Sequence, residues 1–236
     1  MSSRQEEHIV GGGKIRSILL GLNDGLISTF TLLVGVAAAT IASTGSNSIV
    51  ILTGFAAMVS GAISMGLGEY ISSKSEYNYI KNELKKERAE IELFPEEEKE
   101  EVREIFEKMG LDGDTLNSCV HTITSNKQVW LDFLTKSELG LEEPENPILG
   151  AIFTFLSFVS GSFLTLFAYF FDIGFISLII SSVVSFSMLF IAGALKTKIT
   201  GESTLKSGLE MIIIGIVAFI ASYGIGTMLE QLITTV

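Results

Sequence analysis

The chain is short of the residues that brace proteins covalently or through metals. Among 236 residues there is one cysteine, Cys119, and there are two histidines, His8 and His121. A single cysteine excludes an intrachain disulfide and a cysteine-cluster zinc site. Neither histidine has a glutamate three residues before it, so the Glu-x-x-His pairs of ferritin-like di-iron oxidases are missing. Cys119 and His121, two residues apart, would not share a helical face and read as structural or incidental. Positive charge is scarce as well. Sixteen Lys and Arg against 27 Asp and Glu leave a net charge of −11, which argues against a nucleic-acid partner because phosphate affinity rests on Lys and Arg. There is no glycine-rich P-loop, so ATP-driven work is not expected. The first apolar stretch runs from Ser17 past Val36. That is too long for the core of a cleavable signal peptide, and no clear cleavage site follows.

What the chain does have is apolar surface, unevenly interrupted. Apolar residues make up 47% and charged residues 18%, against about 25% charged in soluble domains. Residues 74–146 hold 19 acidic and 10 basic residues, a net of −9, while the remainder holds 8 and 6. Five stretches reach the roughly 20 apolar residues a spanning helix needs: 17–42, 48–71, 148–171, 173–195 and 209–231. The expected fold is an all-α integral membrane protein of five transmembrane helices, with a cytoplasmic helical insert between helices 2 and 3. The domains are 1–73 (an N-terminal tail and spans 1–2), 74–146 (the acidic insert) and 147–236 (spans 3–5). With the N-terminus in the cytoplasm, Arg4, Lys14, Arg16, the insert and the 196–207 loop all lie inside. All 16 Lys and Arg are then cytoplasmic, as the positive-inside rule requires, and the C-terminus is outside.

Polar groups within the spans mark candidate sites. Asp24, in Gly21-Leu22-Asn23-Asp24-Gly25, falls about two turns inside span 1, where an acid costs about 2.5–3.5 kcal/mol. It should face protein or water, as part of an ion or proton pathway or as an acceptor for hydroxyls of a neighbouring helix. The flanking glycines allow either close backbone approach or a local break. In span 2, Met65 and Glu69 fall within about 20° of Met58 around the helix. A carboxylate with thioethers shifts metal preference from Mg²⁺ and Ca²⁺ toward softer ions such as Fe²⁺. Ser60, Ser64 and Gly68 recur every fourth residue on another part of span 2 and suit helix packing. Glu210 and Glu230 fall near the ends of span 5 and read as interfacial.

In the insert, Tyr77, Ile80, Leu84, Glu87, Ile91 and Phe94 follow helical spacing that continues span 2. This helix should stop at Phe94-Pro95, with Pro95 opening a second helix whose apolar stripe is Val102, Ile105, Phe106 and Met109. Gly110 and Gly113 mark its stop and a turn. A short helix over 114–126 follows, and a fourth turns Trp130, Phe133, Leu134 and Leu141 inward. Glu87, Glu98, Glu101 and Glu138 lie on or beside these packed faces, and Glu90 joins Glu87 at i+3. Clustered carboxylates repel unless a cation or proton lies between them. The alternative is that they pair with Lys85, Lys86, Arg88, Lys99 and Arg103 or are solvated.

The pattern resembles the vacuolar iron transporter family. Residues 21–29, Gly-Leu-Asn-Asp-Gly-Leu-Ile-Ser-Thr, are similar to its signature around an intramembrane Asp. Residues 61–70, Gly-Ala-Ile-Ser-Met-Gly-Leu-Gly-Glu-Tyr, are similar to its second signature, and Glu138-Leu139-Gly140-Leu141 also matches. The resemblance covers nearly the whole chain. It implies a homodimer that carries Fe²⁺, and often Mn²⁺, out of the cytoplasm against a counterflow of protons, with no organic cofactor and no enzymatic step. Asp24 and Met65, with Glu69 beside them, would line the pathway. Glu87, Glu90, Glu98, Glu101 and Glu138 would bind the metal first. Plant members carry a Met pair where this chain has Leu134 and Thr135, which removes two soft ligands. Many members also carry a proline after the span 3 glycine, where Gly161 is here followed by Ser162. The lack of an intracellular targeting segment points to a prokaryotic plasma membrane. The competing readings are a metal sensor or partner-recruiting membrane protein without transport, and a carrier of another cation such as Ca²⁺ or Ni²⁺.

Overall fold

The structure, a computed structural model, describes residues 12–44, 46–141 and 145–234. Arg4 and His8 lie outside the described residues. Among the described residues eight α-helices follow one another: α1 (Gly12–Thr44), α2 (Ser48–Leu93), α3 (Pro95–Lys108), α4 (Gly113–Thr124), α5 (Lys127–Ser137), α6 (Pro147–Leu166), α7 (Phe175–Thr200) and α8 (Thr204–Thr234). A 3₁₀ turn, Phe167–Phe171, extends α6. Among the described residues there is no strand. Five helices among the described residues are long and apolar enough to cross a membrane: α1, α2, α6 with its 3₁₀ extension, α7 and α8. Their ends differ from the apolar runs. The fourth span starts at Phe175 rather than 173, and α8 starts at Thr204 rather than 209. The left-handed turn at Asp172 and Gly174 delays the start of α7, while polar residues continue α8 ahead of its apolar stretch.

The chain forms two compact units, residues 1–71 with 147–236, and residues 72–146. Helix α2 belongs to both. Its 46 residues measure about 69 Å at 1.5 Å per residue, more than twice a hydrocarbon core of about 30 Å. The helix is therefore too long to lie wholly within the lipid.

In the membrane unit, apolar burial supplies little drive, because lipid is as apolar as leucine. Close backbone approach and hydrogen bonds do the holding. A Cβ on Gly21 or Gly25 of α1 would collide with the carbonyls of Thr154 or Phe158 of α6. One on Gly161 of α6 would come within 2.6 Å of the Leu22 carbonyl. The signature glycines thus serve close approach, and α1 runs through them unbroken. Buried hydroxyls stitch the same seam. Thr29 donates to Ser162 at 2.8 Å, Ser162 reaches the Gly25 carbonyl at 3.3 Å, and Ser181 of α7 donates to the Thr165 carbonyl at 2.6 Å. At the far end, Asn47 Nδ2 donates to the Tyr169 carbonyl and to Ser177 Oγ, while the Asn47 backbone N–H donates to Asp172 Oδ1. Asp172 itself takes the left-handed conformation there, with φ of 47°, and Gly174 follows with φ of 61°. Phe30, Leu33, Val34, Leu166, Tyr169 and Leu178 fill the space between.

The insert is built as a soluble protein is. Ile91, Val102, Leu116, Val120, Trp130, Leu131 and Leu134 form its core. Phe94 separates α2 from α3, and Pro95 opens α3 with Glu96, Glu97 and Glu98 in the first turn and Lys108 in the last, the arrangement the helix dipole favours. Asn126 caps α5 by accepting from the backbone N–H groups of Gln128 and Val129. Three residues expected in the packed stripes are not in them. Phe94 and Met109 are exposed because each lies at a helix end where the chain turns away, Met109 just before Gly110 with φ of 90°. Leu141, only half-buried, lies beyond the end of α5.

Candidate metal pathway and carboxylate cluster

Asp24 falls near the middle of the first span and is half-buried. It shares one side of α1 with Arg16, Leu20, Ser28 and Leu32, each four residues from the next and each of those four exposed. The glycine seam against α6 adjoins this side, Gly21 and Gly25 lying about 60° and 100° around the helix from Asp24. Met65 and Glu69 of α2 are half-buried one turn apart, whereas Met58 is packed away. Ser60, Ser64 and Gly68 are exposed, so their stripe makes no packing seam within the unit; α2 rests on the bundle through Val50, Gly54, Met58, Ala62 and Gly66. Glu69 accepts a hydrogen bond from Ser17 Oγ at 2.8 Å. Asn23 Oδ1, beside Asp24, is buried without a partner. Glu210 is exposed.

In the insert, α2, α3 and the end of α5 bring Glu87, Glu98, Glu101 and Glu138 close enough to repel one another, with Glu90 at the margin. Glu87 and Glu98 are 4% and 6% exposed. Glu101 is half-buried, and Glu90 and Glu138 are at the solvent edge. Burial, then repulsion from Glu138 and Glu98, pushes the Glu87 carboxyl up to about 8. Burial and Glu101 push Glu138 up to about 7, and burial raises Glu98 as well. Carboxyl groups this close to one another favour a bound proton over a second charge.

Several neighbouring cations are engaged elsewhere. Lys86 pairs with Glu83, Lys99 with Glu96, Arg103 with Glu100 and Lys127 with Glu92. Among the described residues, none of the five clustered glutamates forms an ion pair. Glu87 Oε1 and Glu98 Oε2 are buried with no partner at all. As they stand, no three acidic, histidine or cysteine side chains among the described residues are close enough to hold a metal ion. Leu134 is fully buried in the core and Thr135 donates to the Leu131 carbonyl, so neither offers the cluster a ligand. His121 is exposed and Cys119 half-buried.

Two contacts were not singled out in the sequence. Ser17 belongs to a Ser17, Gly21, Gly25, Thr29 stripe of small residues at every fourth position, a pattern that announces helix contact but not a carboxylate partner. Gly150 of α6 comes close to Glu69, and nothing in the sequence signals that approach.

The fold and its polar groups define an all-helical, multi-pass membrane protein with a carboxylate-rich helical insert. Residues 15–227 match the model of the VIT family. The chain is 36% identical over 229 residues to vacuolar iron transporter 1 of Arabidopsis thaliana, covering 96% of this chain and 90% of that one. It is 34% identical over 234 residues to vacuolar iron transporter 1 of Eucalyptus grandis, covering 98% and 92%. With protein CCC1 of Saccharomyces cerevisiae it shares 34% identity over 216 residues, covering 86% and 65%. The chain belongs to the VIT family.

Proposed function

We propose that the protein carries Fe²⁺, and Mn²⁺ with it, out of the cytoplasm in exchange for protons. The observation that carries this reading is the cluster of insert carboxylates buried without cations. Such a cluster is costly when empty and is relieved by a proton or a divalent ion. Carboxylate oxygens suit both Fe²⁺ and Mn²⁺. The names of the relatives, vacuolar iron transporters, support iron as cargo.

In this mechanism the insert's net charge concentrates cations, and Glu87, Glu98, Glu101 and Glu138, helped by Glu90, exchange protons for the ion. The ion then passes Glu69, Met65 and Asp24. Met65 contributes the one soft ligand of that set. Protons from the far side take the carboxylates in turn and release the metal. The N-terminus is cytoplasmic, by the placement of Lys and Arg. The working form is a homodimer. Asp24 stands mid-span, half-buried, between residues of α1 that are exposed, and lipid there would cost about 2.5–3.5 kcal/mol. A second copy supplies the missing wall.

The test is metal uptake by the purified protein in proteoliposomes, with a pH gradient imposed and then collapsed. Uptake of Fe²⁺ and Mn²⁺ should follow the gradient. Asp24→Asn, nearly isosteric, should abolish it without lowering the melting temperature. Wild-type flux in that variant would remove Asp24 from the pathway. Folded wild-type protein that moves neither metal would point instead to a sensor.

A further inference from the structure

At the Lys14–Arg16 end of the membrane unit, three helices meet at one carboxylate oxygen. Ser17 Oγ of α1, 4% exposed, is 2.8 Å from Glu69 Oε1 of α2 and 3.1 Å from the Gly13 carbonyl. Gly150 of α6 closes the third side. A Cβ there would lie 3.2 Å from Glu69 Oε1 and 3.5 Å from Ser17 Oγ.

A serine hydroxyl has one hydrogen and two lone pairs. Ser17 therefore has two acceptors for one proton. When it donates to Gly13, its lone pairs are free to face the carboxylate oxygen across the gap. Neighbouring oxygens of an octahedral divalent ion with bonds of about 2.1 Å lie about 3 Å apart, close to the separation seen here.

We propose that Ser17 and Glu69 form an oxygen-donor entry site for a divalent cation, with the hydroxyl turning its hydrogen to the Gly13 carbonyl as the ion arrives. This site rests on the reading that Glu69 lines the metal pathway. Gly150 lets α6 come close to this oxygen pair without a side chain against it. Met65, one turn further along α2, is the first sulfur beyond it. The order is oxygen first and sulfur second, so the entry site accepts Mn²⁺ and Fe²⁺ alike, and any discrimination between them comes deeper.

The experiment is initial-rate Mn²⁺ and Fe²⁺ uptake by the full-length protein in proteoliposomes. Ser17→Ala should raise KM about tenfold for both metals, as loss of one contact to a charged group does, with the maximal rate within about twofold. Ser17→Thr should restore KM, because it keeps the hydroxyl. Gly150→Ala should raise KM by crowding the ion. The ratio of Fe²⁺ to Mn²⁺ uptake should stay constant throughout. A KM for Ser17→Ala within about twofold of wild type overturns the site. If that variant fails to fold, Gly150→Ala decides by the same criterion. Wild-type protein that moves no metal overturns the transport reading itself. Transport by wild type with Glu69→Gln unaffected takes Glu69 out of the pathway, and this site with it.

Discussion

The two units of this protein both place carboxylates where charge is expensive, and they do so differently. In the membrane unit the acids are single. Asp24 stands alone on its side of α1, and Glu69 has a hydroxyl from the next helix. In the insert the acids are crowded, and no cation relieves them among the described residues; Lys86, Lys99 and Arg103 each pair with a different glutamate one turn away. A single acid in a span can be held ready by a donor from a neighbouring helix and a closely packed backbone. A crowd of acids must share protons until something better arrives. The first arrangement suits a step along a path, and the second suits capture.

Breaking the membrane side should have the largest effect. Gly25→Leu puts a side chain against the Phe158 carbonyl, where α1 and α6 are in backbone contact. Overpacking of this kind costs about 1–3 kcal/mol or more. We expect loss of the membrane unit's thermal transition and of all flux, while the insert, with its own core, still binds Mn²⁺ in the detergent-solubilised full-length protein. Loss of both together would deny that the two units are independently built.

The insert is sharpened through pH. The folded chain raises Glu87 from 4.5 to about 8, so it holds a proton that the unfolded chain releases. Its contribution to stability is full below about pH 4.5 and is lost as pH rises through about 8. Glu87→Gln together with Glu98→Gln should flatten that fall and stabilise the metal-free protein by about 2 kcal/mol at pH 8. The same pair should abolish high-affinity Mn²⁺ binding. Calorimetry near pH 7, in buffers of different ionisation enthalpy, should show that wild type releases protons as metal binds. A stability profile unchanged in the double variant would mean that these carboxyls are not strained.

The smallest effect is expected at Met65. Met65→Leu keeps the volume, so folding should change by less than about 1.5 kcal/mol. Flux should persist, with Fe²⁺ losing ground to Mn²⁺ by a few fold in competition, because only sulfur favours the softer ion. An unchanged ratio would assign selectivity elsewhere.

Much of this architecture is legible in residue order. The apolar runs announce five spans, Pro95 announces the break after α2, and the stripe from Tyr77 to Ile91 announces that α2 continues beyond the bilayer. Other features depend on partners distant in sequence. Gly21 and Gly25 were compatible with a broken helix, and only the proximity of Thr154 and Phe158 shows that they serve contact. Helical spacing placed Phe94 and Met109 inside, yet stripes lose their meaning at helix ends, where the backbone leaves the core. Spacing also put Glu90 beside Glu87, but burial separates them: Glu87 is 4% exposed and Glu90 is open to solvent. Ser17 was hidden because a hydroxyl takes its role from what another helix brings to it.

Trp130 is the only tryptophan in the chain, and it is enclosed in the insert's core with its indole N–H unpartnered. Light absorbed at the red edge of the ultraviolet band is therefore absorbed by the insert alone. Its emission should be blue, as from an apolar cage, and should dim when a paramagnetic ion settles among the insert's carboxylates. Asp24 and Met65 belong to the other unit, which has no tryptophan. Nature has in effect labelled one half of the molecule with a lamp, so that capture can be watched in real time without adding a dye.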